Sequence, residues 1–289
     1  MDGKQLNVIK KAIQEKKTVV DFNQTWQTLY KDHNVGKRQG RQLVLKPTDL
    51  ELLTAIYHRY VKVAPIVNID LQQNRMTLVD YFKDEKIGGF NVFADQLVFA
   101  SARVELPLKT GYVNIAFKGL LTTTTLENVE ISAIQRLVII ENGAMMTRLF
   151  DWYQNLEVEW QNSLFVYRGH GANVKVVIQL LEQLPRDTSV AFYGDFDPYG
   201  INIASHFYKF HSLALIMPEV WQQITVNHVD NNLEKFLKQI VHSRDIAIDQ
   251  DVPTIFRQVY QHIKHNQLAI MQENVNRIGR LVALMYDQV

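Results

Sequence analysis

An α/β fold, α+β when the whole chain is counted, is what the sequence predicts: a parallel sheet flanked by helices, preceded by a helical module and a β-rich region. Three patterns predict it. Between residues 133 and 218 short apolar runs alternate with helical segments, across 76–132 apolar and polar residues tend to alternate, and over 4–61 apolar residues recur at helical spacing. Strand–helix–strand alternation marks parallel strands joined by helical crossovers, whereas period-two runs punctuated by glycine read as antiparallel strands.

In order along the chain, Leu6, Ile9 and Ile13 form one stripe of a helix over 4–17, and Phe22, Trp26, Leu29 and Tyr30 form another over 21–32. The segment Gly36-Lys37-Arg38-Gln39-Gly40-Arg41 is a basic turn bracketed by glycines, and Thr48 to Glu51 has capping-box spacing that opens a helix over 49–61. Short helices with a basic turn suit a winged-helix-like DNA-binding module over 1–65, and equally a small bundle with no DNA role. In the β-rich region, 66–132, strands are expected at Asn91–Ala100, Arg103–Leu108, Tyr112–Phe117 and Leu120–Thr125. Strands at Arg136–Ile140, Leu164–Tyr167, Ser189–Tyr193 and Leu213–Met217 then alternate with helices over 144–154, 172–184 and 199–210. Residues 219–289 read as helical, so the expected division is 1–65, 66–132, 133–220 and 221–289.

Apolar residues make up 47% of the chain and charged residues 21%, an ordinary globular balance. No run reaches the roughly eighteen apolar residues of a membrane span. Met1–Lys17, with five lysines and no apolar core, is unlike a secretory signal, so a cytoplasmic protein is expected. The absence of cysteine excludes disulfides and thiolate-bound zinc. Any metal would be held by oxygen or imidazole, and carboxylate oxygen suits Mg²⁺ or Mn²⁺. The net charge of +1 conceals an asymmetry, because residues 1–46 carry ten Lys/Arg against four Asp/Glu. Lys37, Arg38 and Arg41 belong to that basic segment, which is either a phosphate-facing surface or a solvated helical face.

In an open parallel sheet, chemistry gathers at the carboxyl ends of the strands. Glu141 follows the first strand of the alternating region (RLVIIENGAMM), and Asp195 and Asp197 follow the third (VAFYGDFDPYGINIA). Two positions apart, the aspartates face the same side of extended backbone, while Phe196 points into packing. Gly194, Pro198 and Gly200 shape the sharp departure into the next helix. Two like charges about 4 Å apart cost about 4 kcal/mol at an effective dielectric of roughly 20, so clustered carboxylates need a cation, a shared proton or nearby bases. A divalent metal meets that need and serves phosphate chemistry by neutralising charge, activating water and stabilising the leaving oxygen.

The segments LVIIENGAM, FVYRGHG and YGDFDPYGINIA resemble the Toprim domain of the topoisomerase VI A subunit and Spo11 group. They resemble more closely that of the Wadjet-type (JetD/MksG) nuclease subunits, over about residues 134–218, and Asp-Pro-Tyr-Gly is the most specific piece. The resemblance implies that Glu141, Asp195 and Asp197 bind Mg²⁺ or Mn²⁺ at the phosphates of double-stranded DNA. It implies that Gly169 and Gly171 shape the loop after the second strand, where Arg168 and His170 are placed to contact phosphate, although His170 is equally well read as a loop histidine with no catalytic task. It further implies a homodimer engaged in plasmid defence beside an SMC-like ATPase, a kleisin and a kite-type subunit, in a nucleoid-associated setting without a membrane. No Gly-x-x-x-x-Gly-Lys-Ser/Thr motif occurs, which leaves energy-driven recognition to a partner. Gln272-Glu273 resembles a Gln-Glu pair of the same subunits, although a dipeptide on a solvated helix face is the plainer expectation.

Three functions are open at this point. The strand-end acids favour a metal-dependent DNA endonuclease. A tyrosine transesterase would use Tyr57 or Tyr60, which lie in a predicted helix without the Arg-x-x-Tyr-Tyr pattern of the topoisomerase VI A group. A non-catalytic DNA-binding subunit would bind DNA through the basic segment with no need of metal.

Overall fold

The computed structural model describes residues 3–61, 95–169 and 172–285. Residues 66–94 of the expected β-rich region, with the start of the strand expected at Asn91–Ala100, lie outside the described residues. The chain forms two compact units, one within 1–94 and one within 95–289.

The first unit runs α1 (Gly3–Gln14), β1 (Val19–Asp21), α2 (Gln24–His33), β2 (Lys37–Gln39), β3 (Gln42–Val44) and α3 (Pro47–Tyr60). Its strands pair antiparallel in the order β1-β3-β2. Leu6, Ile9, Trp26, Leu29, Leu43, Leu53 and Ile56 share one core. The basic turn is a hairpin: Gln39 pairs with Gln42 across Gly40-Arg41, and Lys37, Arg38 and Arg41 are exposed. The expected helix over 21–32 starts later, because β1 ends at Asp21 and Asn23 caps α2 by accepting the Trp26 N–H. The third helix starts earlier than 49: Pro47 is preorganised for a first helical position, and Asp49 accepts the Lys46 N–H.

The second unit begins with β4 (Gln96–Ser101), the hairpin β5 (Leu106–Leu108) and β6 (Gly111–Val113), and β7 (Thr122–Thr125). It continues with β8 (Arg136–Ile140), α4 (Gly143–Thr147), α5 (Leu149–Trp152), β9 (Leu164–Tyr167), α6 (Ala172–Gln183), β10 (Ser189–Tyr193), α7 (Pro198–Tyr208) and β11 (Ala214–Pro218). The chain then forms α8 (Leu233–Ile240), α9 (Thr254–His265), α10 (Gln272–Val275) and β12 (Leu281–Leu284). One seven-stranded sheet has the order β12-β11-β10-β8-β9-β4-β7. Its four central strands are parallel, and β12, β4 and β7 add antiparallel to the edges. The parallel strands are buried on both faces, which is why they read as continuous apolar runs: Leu137, Val138, Ile139 and Ile140 are all 0% exposed.

Two expectations are corrected. The C-terminal region is not wholly helical, since Leu281–Leu284 pairs with β11 as an edge strand. The single helix expected over 144–154 breaks into α4, α5 and a 3-10 turn at Tyr153–Asn155, with Trp152 Nε1 donating back to the Met145 carbonyl. Strands β4 and β7 and the C-terminal β12 thus share one sheet with the parallel strands, the hairpin β5–β6 stands outside it, and residues of both segments join one core.

The strand order decides where a ligand can sit. The chain leaves β8 for β9 on one side and then crosses to β10 on the other, so the β8/β10 boundary is a topological switch point. Crossovers diverge to opposite faces there and open a crevice at the carboxyl ends of the two strands. Among the described residues no helix is long and apolar enough to cross a membrane.

Candidate metal centre

Register alone puts the first acid beside the second. Ile140 pairs with Tyr193, so Glu141 and Gly194 leave adjacent strands at one level, and the Glu141 N–H donates to the Tyr193 carbonyl at 3.0 Å. On the other side the Arg168 N–H donates to the Ile140 carbonyl at 2.9 Å. Glu141, Arg168 and the Asp195–Asp197 segment therefore issue from neighbouring strand ends at the switch point.

The acids are tied to one another and to the chain. Glu141 Oε2 accepts the Asp195 N–H at 3.0 Å, and its Oε1 lies 3.6 Å from the Arg168 guanidinium. Asp195 Oδ1 accepts the Gln272 N–H at 2.8 Å. Asp197 caps α7, its Oδ1 accepting the Gly200 N–H at 2.8 Å, while its Oδ2 accepts from Gln239 Nε2 at 2.8 Å. The Lys235 ammonium lies 2.8 Å from Asp195 Oδ2 and 2.8 Å from Asp197 Oδ2. Phe196, between the aspartates, is fully buried and pairs its backbone with Ile270 in both directions. Two glycines permit this closeness. A Cβ on Gly194 would stand 2.5 Å from Glu141 Oε2, and one on Gly200 would collide with the Asp195 carbonyl.

Charge is unevenly compensated. Burial first, and the Asp195 charge second, push the Glu141 carboxyl up to about 7, with the Asp195 N–H only partly opposing them. Burial alone would lower the Lys235 ammonium, but its pairing with Asp197 and Asp195 reverses this and raises it well above the ordinary lysine value. Lys235 thus sets one positive charge against two aspartates, and the Arg168 guanidinium 3.6 Å from Glu141 does not offset burial and the aspartate charges there.

Sequence reading placed Glu141, Arg168, Asp195 and Asp197 together, and they are together. His170 and Gly171 lie outside the described residues; Gly169 adopts φ +78°, packed on Asn173. Asp197 differs from a freely offered ligand: its side chain is 1% exposed and both oxygens have protein partners, whereas those of Asp195 and Glu141 are 16% and 13% exposed. As the side chains stand, no three His, Asp or Glu among the described residues form a group able to hold a metal ion. The donor chemistry nonetheless fits a hard divalent ion, because the acids offer only oxygen and one cation, the Lys235 ammonium, already stands between two of them.

Gln272 and Glu273 are not on a solvated face. Gln272 is 0% exposed and joins both strand ends: its Oε1 accepts the Asn142 N–H at 3.0 Å and its Nε2 donates to the Tyr193 carbonyl at 3.0 Å. Glu273 Oε1 accepts from Asn142 Nδ2, and its Oε2 is buried with no partner. The only sequence signal for this pair was the Gln-Glu dipeptide itself. Lys235 and Gln239 gave none beyond i, i+4 spacing on a helix. In the first unit, Tyr57 is 2% exposed within the core, where burial raises its phenol.

Comparison with curated proteins and with solved structures gives no match. The profile of the family described as Domain of unknown function (DUF7281) matches residues 94–278, a span that contains every side chain of this centre, and the chain belongs to that family.

Proposed function

We propose that this protein is a divalent-metal-dependent DNA endonuclease of Toprim type, the nuclease subunit of an SMC/condensin-like plasmid-defence complex. The observation that carries the reading is the meeting of Glu141 with the Asp195–Asp197 segment at the switch point, where Glu141 accepts the Asp195 N–H and one cation stands between the two aspartates. Glu141, Asp195 and Asp197 would hold Mg²⁺ or Mn²⁺. When bound, the ion supplies charge neutralisation at the scissile phosphate and acidifies an attacking water.

The chain's own residues do the rest. Arg168 presents a guanidinium beside Glu141 on a side chain 18% exposed, which would place a planar cation next to a phosphate held by the metal ion. Gln272 and the Asp195 N–H keep the strand ends in register, so the carboxylates are held on rigid elements. Lys37, Arg38 and Arg41 form an exposed basic hairpin suited to sequence-independent backbone contacts, as a wing of a winged-helix module would be. A double-strand cut would call for a homodimer, and SMC-like, kleisin and kite-type partners would present the DNA.

The test is cleavage of a supercoiled plasmid with Mn²⁺. Asp195→Ala combined with Asp197→Ala should lower the rate by at least about 100-fold, equivalent to roughly 2.7 kcal/mol of transition-state stabilisation. Equal cutting by wild type and double variant would dismiss the reading. Separately, replacing Lys37, Arg38 and Arg41 together with alanine should reduce the slope of log affinity for duplex DNA against log salt by about 2–3. An unchanged slope removes the hairpin from the interface.

A second reading, a DNA-binding subunit without catalysis, draws on the full set of protein partners at Asp197. It predicts salt-dependent DNA binding with no metal requirement. Mn²⁺ binding that Glu141→Gln abolishes would count against it.

A further inference from the structure

The seat between the aspartates is filled by the chain itself. Lys235 Nζ lies 2.8 Å from Asp195 Oδ2 and 2.8 Å from Asp197 Oδ2, so one ammonium bridges the two carboxylates that would help to hold a divalent ion. We propose that Lys235 is a displaceable occupant of the metal seat, holding Asp195 and Asp197 together until a divalent cation enters and drives its ammonium out. The inference rests on the metal-dependent reading above and adds to it a gate made by this chain.

Helix energetics do not explain the lysine. Lys235 stands in the first turn of α8, where the helix dipole disfavours a cation, and Asn232 already caps that end by accepting the Lys235 N–H at 2.9 Å. Its place is explained by the carboxylates it meets. The aspartates lie on one short segment, and without a counter-charge their repulsion would open the turn that Asp197 caps. Lys235 is 27% exposed at the side chain, on a long flexible stem, so its ammonium is not sealed away from solvent.

The surroundings are incompletely served by an ammonium. Gln239, one turn along α8, donates to Asp197 Oδ2 at 2.8 Å, so Asp197 keeps a protein partner when Lys235 leaves. The Gln239 Oε1 is buried with no partner, as is Oε2 of Glu273, whose other oxygen accepts from Asn142 beside Glu141. Both oxygens belong to side chains that contact the strand-end segments of the acids, Gln239 through Asp197 and Glu273 through Asn142, and each is a buried acceptor open to a donor such as a coordinated water. Lysine as occupant keeps the metal-free centre folded and makes occupancy by metal a competition between two cations.

The experiment measures Mn²⁺ affinity by calorimetry for wild type and Lys235→Met, which keeps the stem and removes the charge. The variant should bind Mn²⁺ at least tenfold more tightly. In wild type labelled with ¹⁵N-lysine, the Lys235 ammonium resonance, identified by its absence from the variant, should shift on titration with Mg²⁺. If Lys235→Met fails to fold, Lys235→Gln supplies both the assignment and the affinity comparison. Wild type that binds Mn²⁺ no more weakly than the variant, with a Lys235 resonance indifferent to Mg²⁺, overturns the gate and leaves the metal reading standing. Failure of both proteins to bind Mn²⁺ overturns the two together.

Discussion

Asp197→Ala should lower the unfolding free energy of the metal-free protein by about 3–5 kcal/mol, the usual cost of breaking a buried ion pair from one side. Three interactions end together. The Gly200 N–H loses its cap acceptor, Gln239 Nε2 loses its acceptor, and Lys235 is left half-paired in a partly buried setting. Loss of the cap alone is worth about 1 kcal/mol. Asp197→Asn retains a capping oxygen and should lose less. The measurement is the urea midpoint with its slope at neutral pH, taken without divalent ions. A loss below about 1 kcal/mol for the alanine variant would show that Asp197 does not organise the turn as described.

Glu141→Gln should act in the opposite direction. The Glu141 carboxyl is raised from an ordinary 4.5 to about 7, so folding favours its protonated form. The stability this group lends is complete below pH 4.5 and is lost as pH rises through about 7, where the buried carboxyl is half ionised, with the charge fully developed only above that. Glutamine keeps an oxygen for the Asp195 N–H and carries no charge. At pH 8 without metal the variant should therefore be more stable by about 2–3 kcal/mol, and near pH 4 it should match the wild type. Urea denaturation across that range gives the curve, and a difference independent of pH would contradict it. Saturating Mn²⁺ should stabilise the wild type and leave the variant unmoved, which reverses the order.

Both predictions turn on neighbours that no local pattern announces. The motif carrying Asp195 and Asp197 is continuous, and Glu141 follows a strand of obvious apolar character, so these acids could be read in order. Pairing of β8 with β10 adds the register that puts Glu141 level with Gly194. Lys235, Gln239 and Gln272 lie 40, 42 and 77 residues from the aspartates they meet. Each looks like a surface residue on an amphipathic or short helix until the C-terminal segment folds back along Phe196 and Ile270. Strand β12 was hidden for a related reason: Leu281–Leu284 is too short to show a period, and its identity comes from the edge of β11 that it covers.

Local chemistry was sufficient for the alternating parallel core and for the acids at its strand ends, because burial on both faces and sharp glycine–proline exits leave their mark within a few residues. The company those acids keep was settled only by folding. Which cation stands between Asp195 and Asp197, which groups their oxygens accept from, and why the Glu141 carboxyl is raised all depend on contacts between distant segments. Electrostatic compensation is a property of distances in space, and chain order does not encode those distances directly.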